Sequence, residues 1–144
     1  MYTKSVNKKE MRKMKITREA DYAIRILYII KNESGVVSAR EISEKTGVSL
    51  RFSLKILAKL SEAGFVDSKK GAQGGYFLKK PAEDISLANI IENIDGPIAI
   101  SHCMEDDFCC TRVSDKSECS FRKVFCAVSG KIRNELSSMK LSQF

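Results

Sequence analysis

Two short apolar stripes of helical period are separated by Gly47, and that break limits the possible folds more than any other feature of the chain. Upstream of it, Ser38 followed by Glu41 fits a capping box, so a helix is expected to start near Ala39 and carry Ile42 inward. It stops at Gly47, whose missing Cβ suits the positive φ of a helix end and tight turn. Ser49 then offers a fresh N-cap. From there Leu50, Leu54 and Leu57, with Ile56, Leu60 and Ala63 alongside, recur as one expected buried stripe, leaving Arg51, Ser53, Lys55 and Lys59 nearer the other side. Gly64 ends this second helix. Two helices joined by so short a Gly-containing turn form a helix-turn-helix, whose second helix enters the major groove of a duplex with its N-terminal residues at base edges.

The next segment strengthens that reading. Phe65 and Val66, then Asp67 to Gly75, then Tyr76, Phe77 and Leu78 read as two short strands around a Lys- and Gly-rich tip, a hairpin placed where a wing belongs. Lys69 and Lys70 give the tip phosphate-seeking charge, and Gly71, Gly74 and Gly75 let its backbone approach a duplex. A solvated lysine-bearing loop on an ordinary helical domain is the competing account.

Charge separates the chain into two kinds of surface. The net charge is +7 over 144 residues, which fits a polyanionic partner. Residues 38–80 hold nine Lys or Arg against four Asp or Glu, whereas residues 103–119 hold five acids against two bases. A basic reader and an acidic cysteine-rich loop call for different jobs.

Residues 1–13 are polar, basic and without periodicity, and are expected to form a mobile tail or a translated leader before a start at Met14. A first helix follows, capped by Thr17, with Glu19 and Asp21 near its positive end and Ala20, Ala23, Ile24, Leu27 and Ile30 inward. Its apolar run is too short to span a membrane and lacks a cleavage site, so a cytoplasmic protein is expected. Ser86 opens another short helix with Leu87, Ile90, Ile91 and Ile94 inward, stopped by Gly96 and Pro97. The expected division is a winged helix-turn-helix domain over 14–80, a short helix and sensor loop over 81–119, and a terminal helix and tail over 120–144. The fold class is therefore mainly α with a small β-hairpin.

Cys103, Cys109, Cys110 and Cys119 crowd into the acidic loop. In a chain without a secretory signal this density favours metal or redox chemistry over structural disulfides, and soft thiolates suit zinc, copper(I) or an iron–sulfur cluster. The spacings do not match the paired two-residue gaps of common zinc modules. Cys126 reads as a small apolar residue on the last helix. The only histidine, His102, adjoins Cys103 with no recognisable base or oxyanion arrangement, so the chain is not expected to be an enzyme.

From Ser120 to Ser138 a long helix places Phe121, Val124, Phe125, Val128, Ile132, Leu136 and Met139 on one face. A helix this long, sited past a complete small domain, is expected to be a dimerisation helix packed against a second copy; packing within its own chain is the alternative, since periodicity does not distinguish the two. A homodimer would set two reading helices on the half-sites of a pseudo-palindromic duplex operator.

Met14 to Arg25, MKITREADYAIR, followed by SLRFSLKILAKLSEAGFV, KKGAQGGYFL, a cysteine loop and a terminal helix, resembles the IscR, NsrR and CymR family of bacterial transcription regulators. The resemblance covers nearly everything from Met14 onward. It implies a homodimeric winged-helix regulator of double-stranded DNA. In cluster-binding members three loop cysteines hold a [2Fe–2S] or [4Fe–4S] cluster whose state alters DNA affinity, and those positions fall on Cys103, Cys109 or Cys110, and Cys119. The DNA-reading positions fall at Ser49, Arg51, Ser53 and Lys55, with a wing contact at Lys70; Lys59 and Lys69 are further candidates from the residues themselves. This chain departs from the pattern in a longer gap before the last loop cysteine, in the adjacent pair Cys109 and Cys110, and in having Arg122 where IscR-like proteins place a histidine ligand. Asp21 matches the position from which NsrR-like proteins supply a carboxylate, and Cys110 is the simpler fourth ligand. A cluster-free regulator working through thiol oxidation or a partner protein is the alternative.

Overall fold

Thr17 begins the ordered core by accepting a hydrogen bond from the Ala20 N–H at 3.1 Å, and helix α1 follows over Arg18–Asn32. The structure is a computed structural model describing residues 15–144; the expected leader at 1–13 lies outside the described residues. Ala20, Ala23, Ile26, Leu27 and Ile30 form the buried stripe of α1, with Ile24 only half-buried at its edge.

Helices α2 (Ala39–Thr46) and α3 (Leu50–Glu62) follow at the expected positions. Ser38 accepts from the Glu41 N–H at 3.2 Å, but Glu41 turns to Lys45 at 2.8 Å and does not complete the capping box. Gly47 adopts φ 70° and ψ 13°, the left-handed conformation that favours glycine at a helix end. Ser49 then accepts from the Phe52 N–H at 3.4 Å and opens α3.

The inner face of α3 differs from the expected stripe at its first turns. Ser53, Ile56, Leu57 and Leu60 are the buried positions, while Leu50 and Leu54 are exposed. Val48, in the turn that precedes α3, is buried at 5% exposure. Ser53 is short enough to sit against that turn, and its hydroxyl donates to the Val48 carbonyl at 3.4 Å.

Strands β1 (Val66–Lys69) and β2 (Gly75–Leu78) pair antiparallel, with Val66 opposite Leu78 and Lys69 opposite Gly75. A third edge goes beyond the expected hairpin: Val37, before α2, exchanges both backbone hydrogen bonds with Tyr76, at 2.9 and 2.7 Å. Gly75 makes this approach possible, since a Cβ there would stand 2.3 Å from the Val37 carbonyl oxygen. The wing is thereby tied to the entrance of α2.

Helix α4 (Leu87–Asp95) starts with a full capping box between Ser86 and Asn89, both bonds at 3.1 Å, and packs on α1. A connection with two short 3-10 turns, at His102–Met104 and Lys116–Glu118, leads to α5 (Ser120–Ser138), which runs back along α4. After α5 the chain re-enters the core: Leu141 is 1% exposed, its N–H donates to Ile85 at 2.8 Å, and both side chains join the cluster of Ile26, Leu27, Ile42, Ile56 and Leu60. Burying a leucine to this extent contributes roughly 2 kcal/mol, enough to anchor the tail. Among the described residues no helix is long and apolar enough to cross a membrane.

Candidate nucleic-acid interface and cysteine loop

The outward side of α3 carries Leu50, Arg51, Leu54, Lys55 and Ala58, all exposed. Ser49 is exposed at the cap, its oxygen engaged by the Phe52 N–H. Ser53 is the one helix candidate that the structure corrects: at 0% exposure and turned to the Val48 carbonyl, it offers nothing to a base. Lys59 is engaged within the chain, its Nζ lying 2.6 Å from Glu19 Oε1 in the first turn of α1. Lys55 reaches the same oxygen at 3.7 Å and lies over the Phe52 ring at 5.5 Å, with its side chain still 56% exposed. The close approach of the Lys59 ammonium, more than the charge of Lys55, holds the Glu19 carboxyl below its ordinary pKa against the opposing effect of burial. Arg51, Lys69 and Lys70 enter no salt bridge among the described residues, and all three are exposed.

The wing tip owes its turn to glycine. Gly71 sits at φ 112°, and a Cβ on Gly74 would lie 2.2 Å from the Lys69 carbonyl oxygen. Sequence reasoning found these residues. It missed Leu50 and Leu54 on the outer face of α3; the spacing of Ser53, Ile56, Leu57 and Leu60, at i, i+3, i+4 and i+7, was the available signal.

The five cysteines are all free thiols. Cys109 and Cys110 line a pocket of about 240 Å³ together with Asp106, Asp107 and Lys116. Cys103 lies elsewhere, its Sγ 3.1 Å from Ser101 Oγ, and Cys119 is buried at the N-terminus of α5. Arg112, which the sequence reading did not single out, reaches Cys119 Sγ at 3.9 Å and stacks on the Phe121 ring at 4.8 Å. Backbone N–H groups of Arg112 and Val113 first, then the Arg112 guanidinium, lower the Cys110 thiol pKa from its ordinary value. A lone arginine inside an acidic cysteine loop was the signal for this role.

The donor chemistry of this loop fits a soft metal centre, but the observed arrangement does not gather it. Among the described residues, no three His, Cys, Asp or Glu side chains converge in metal-ligating geometry. Asp21 pairs with Arg25 at 2.9 Å in the first turn of α1, and His102 pairs with Glu105 at 2.9 Å. Arg122 uses its Nε to hold the Cys103 carbonyl oxygen at 3.1 Å. Ser129, buried in α5, accepts from the Ile100 N–H at 3.1 Å and donates to Met104 Sδ at 3.4 Å. The loop is thus fastened to α5 on both sides of Cys103. Helix α5 is in turn clamped to α4 by Arg133, whose guanidinium meets the Glu92 carboxylate at 2.6 and 3.1 Å.

Residues 16–144 match the family model Rrf2, described as an iron-dependent transcriptional regulator. The chain belongs to the Rrf2 family. An rrf2-like HTH-type transcriptional regulator of Rhodobacter capsulatus is 34% identical to this Rrf2 protein over 120 residues, covering 78% of this chain and 80% of the relative. IscR of T. potens has a similar structure, with a TM-score of 0.68, 26% identity, and coverage of 89% of this chain and 83% of that one. CymR, the global cysteine regulator of B. subtilis, shares the fold with a TM-score of 0.71 and 23% identity, over 89% of this chain and 93% of its own. The winged-helix architecture read from the sequence is therefore that of this Rrf2 protein, and the family is one of transcriptional regulators and not of enzymes.

Proposed function

We propose that this Rrf2 protein binds an operator in duplex DNA as a cytoplasmic homodimer, and that an iron–sulfur cluster on its loop cysteines sets the affinity. The observation that carries the reading is the capped α2–α3 unit, whose second helix leaves Arg51 and Lys55 exposed on one face of its N-terminal half. Such a helix is positioned to put its side chains at base edges in the major groove, while Lys69 and Lys70 on the wing meet phosphates. The dimer is supported by α5, where Phe121 and Val124 are each 58% exposed and Val128 is 38% exposed on one face.

Cys103, Cys109, Cys110 and Cys119 are the residues that would hold the cluster, with Asp21 as a carboxylate alternative for the fourth position. When bound, such a group supplies a centre sensitive to oxidants and to nitric oxide. The chain's own residues provide the coupling: Arg122 and Ser129 join the loop to α5, Arg133 joins α5 to α4, and α4 packs on α1, which packs on α3. A change in the loop can therefore shift the population of the DNA-competent dimer. The test is an anaerobic preparation assayed for iron and acid-labile sulfide after reconstitution. Brown protein with cluster absorption supports the reading; colourless protein without either element contradicts it.

A cluster-free thiol regulator is the second reading. It is favoured by the exposure of Cys109 and by the placement of Cys109 and Cys110 on one pocket wall. Under this reading an anaerobic sample without iron still loses or gains DNA affinity on oxidation, and replacing both residues by Ser removes the response.

A further inference from the structure

Leu50 and Leu54 are anomalous leucines. Leu27, Leu57 and Leu60 are fully buried, yet these two are 40% and 43% exposed on the outer face of the helix that reads DNA. Four residues apart, they lie on one side of α3, one above the other. Arg51 and Lys55 follow them at the same spacing, so the outward stripe alternates apolar and cationic groups. The major groove of B-DNA displays donors and acceptors at every base pair, but one apolar group only, the C5-methyl of thymine.

We infer that Leu50 and Leu54 are specificity determinants that read thymine methyl groups, beside the hydrogen-bonding contacts of Arg51. The inference rests on the DNA-binding reading above and narrows it to a base. Arg51 at a base edge selects guanine, and leucines at its flanks select thymines in adjoining steps of the half-site. Charge decides for DNA over a second protein surface: Arg51 has no acidic partner among the described residues, and Lys55 has only Glu19 at 3.7 Å. Pairing this face with another copy of itself would press like charges together, whereas a duplex neutralises them.

The experiment isolates the methyl group. A duplex enriched from a randomised library by the wild-type protein is remade with deoxyuridine replacing each thymidine of a half-site in turn. This substitution removes one methyl and leaves every Watson–Crick and groove hydrogen bond in place. The wild type is expected to lose about fourfold in affinity at each thymine under the leucine pair, as removal of one buried methyl predicts. Leu54→Ala and Leu50→Ala should each abolish the thymine preference at one position. Both keep a strong helix former at an exposed site, so circular dichroism should show an unchanged fold. Equal affinity of the wild type for thymine and uracil duplexes overturns the inference while leaving DNA reading intact. So does a Leu54→Ala protein that retains the full preference, or one that changes self-association and not DNA affinity. A library that enriches no sequence at all overturns the DNA-binding reading itself, and this inference with it.

Discussion

Glu19, in the first turn of α1, forms an ion pair with Lys59 of α3, Nζ to Oε1 at 2.6 Å, tying α3 to the helix that precedes the helix-turn-helix. Because Lys59 holds the Glu19 carboxyl below its ordinary pKa, the pair stabilises the fold at pH values above the unfolded carboxyl pKa. That contribution falls as pH drops through the lower folded value. With its side chain 22% exposed, Glu19 should contribute about 0.5–1 kcal/mol. Glu19→Gln is expected to lower stability by that amount in urea unfolding near neutral pH. The difference from the wild type should vanish at low pH, once the wild-type carboxyl is protonated as well.

Arg51 and the wing lysines should fail in different ways. Arg51→Ala is expected to cost on the order of 1–3 kcal/mol for the preferred duplex and to relax the choice of base. Lys69→Ala and Lys70→Ala should weaken all sequences alike, each reducing the salt dependence of binding by about one counterion. Affinity titrations on a selected and a scrambled duplex at several salt concentrations separate the two outcomes.

Ser53 provides the converse control. Since it faces the core and bonds weakly to Val48, Ser53→Ala should leave DNA affinity unchanged and cost less than about 1 kcal/mol of stability. Ser53→Leu should instead destabilise by about 1–3 kcal/mol through overpacking beside Ile56 and Leu57. Thermal unfolding and a binding titration check both.

The exposed face of α5 should set the oligomeric state. Phe121→Glu combined with Val124→Glu places charge on the two most exposed apolar side chains of that helix. Sedimentation is expected to show a folded monomer with weakened operator binding; an unchanged dimer would move the interface elsewhere.

The parts of the fold legible in the sequence were those specified by local chemistry. Gly47 had to leave the right-handed region, Thr17, Ser38, Ser49 and Ser86 had to cap, and the spacing from Ser120 to Ser138 could only be one long helix. What was not legible depended on partners distant in sequence. Leu50 and Leu54 fit a helical stripe, but the face that packs on the core is set by Ser53, Ile56, Leu57 and Leu60, and Ser53 looked polar and outward until the turn gave its hydroxyl an acceptor. Val37 carries no strand signal, because its pairing with Tyr76 is made by two hydrogen bonds and a glycine on the other side. In the loop, composition announced the thiols but not their separation: Ser101 and Arg122 both engage Cys103, whereas Arg112 engages Cys119.

The most direct test is the affinity of a library-selected duplex for anaerobically reconstituted protein, measured before and after mild oxidation. It compares the wild type with a variant carrying Ser at Cys103, Cys109, Cys110 and Cys119. A change of about tenfold or more in the wild type, equivalent to roughly 1.4 kcal/mol, and none in the variant is the predicted result. An identical response in both proteins, or none in either, would contradict control of the DNA reader by the cysteine loop.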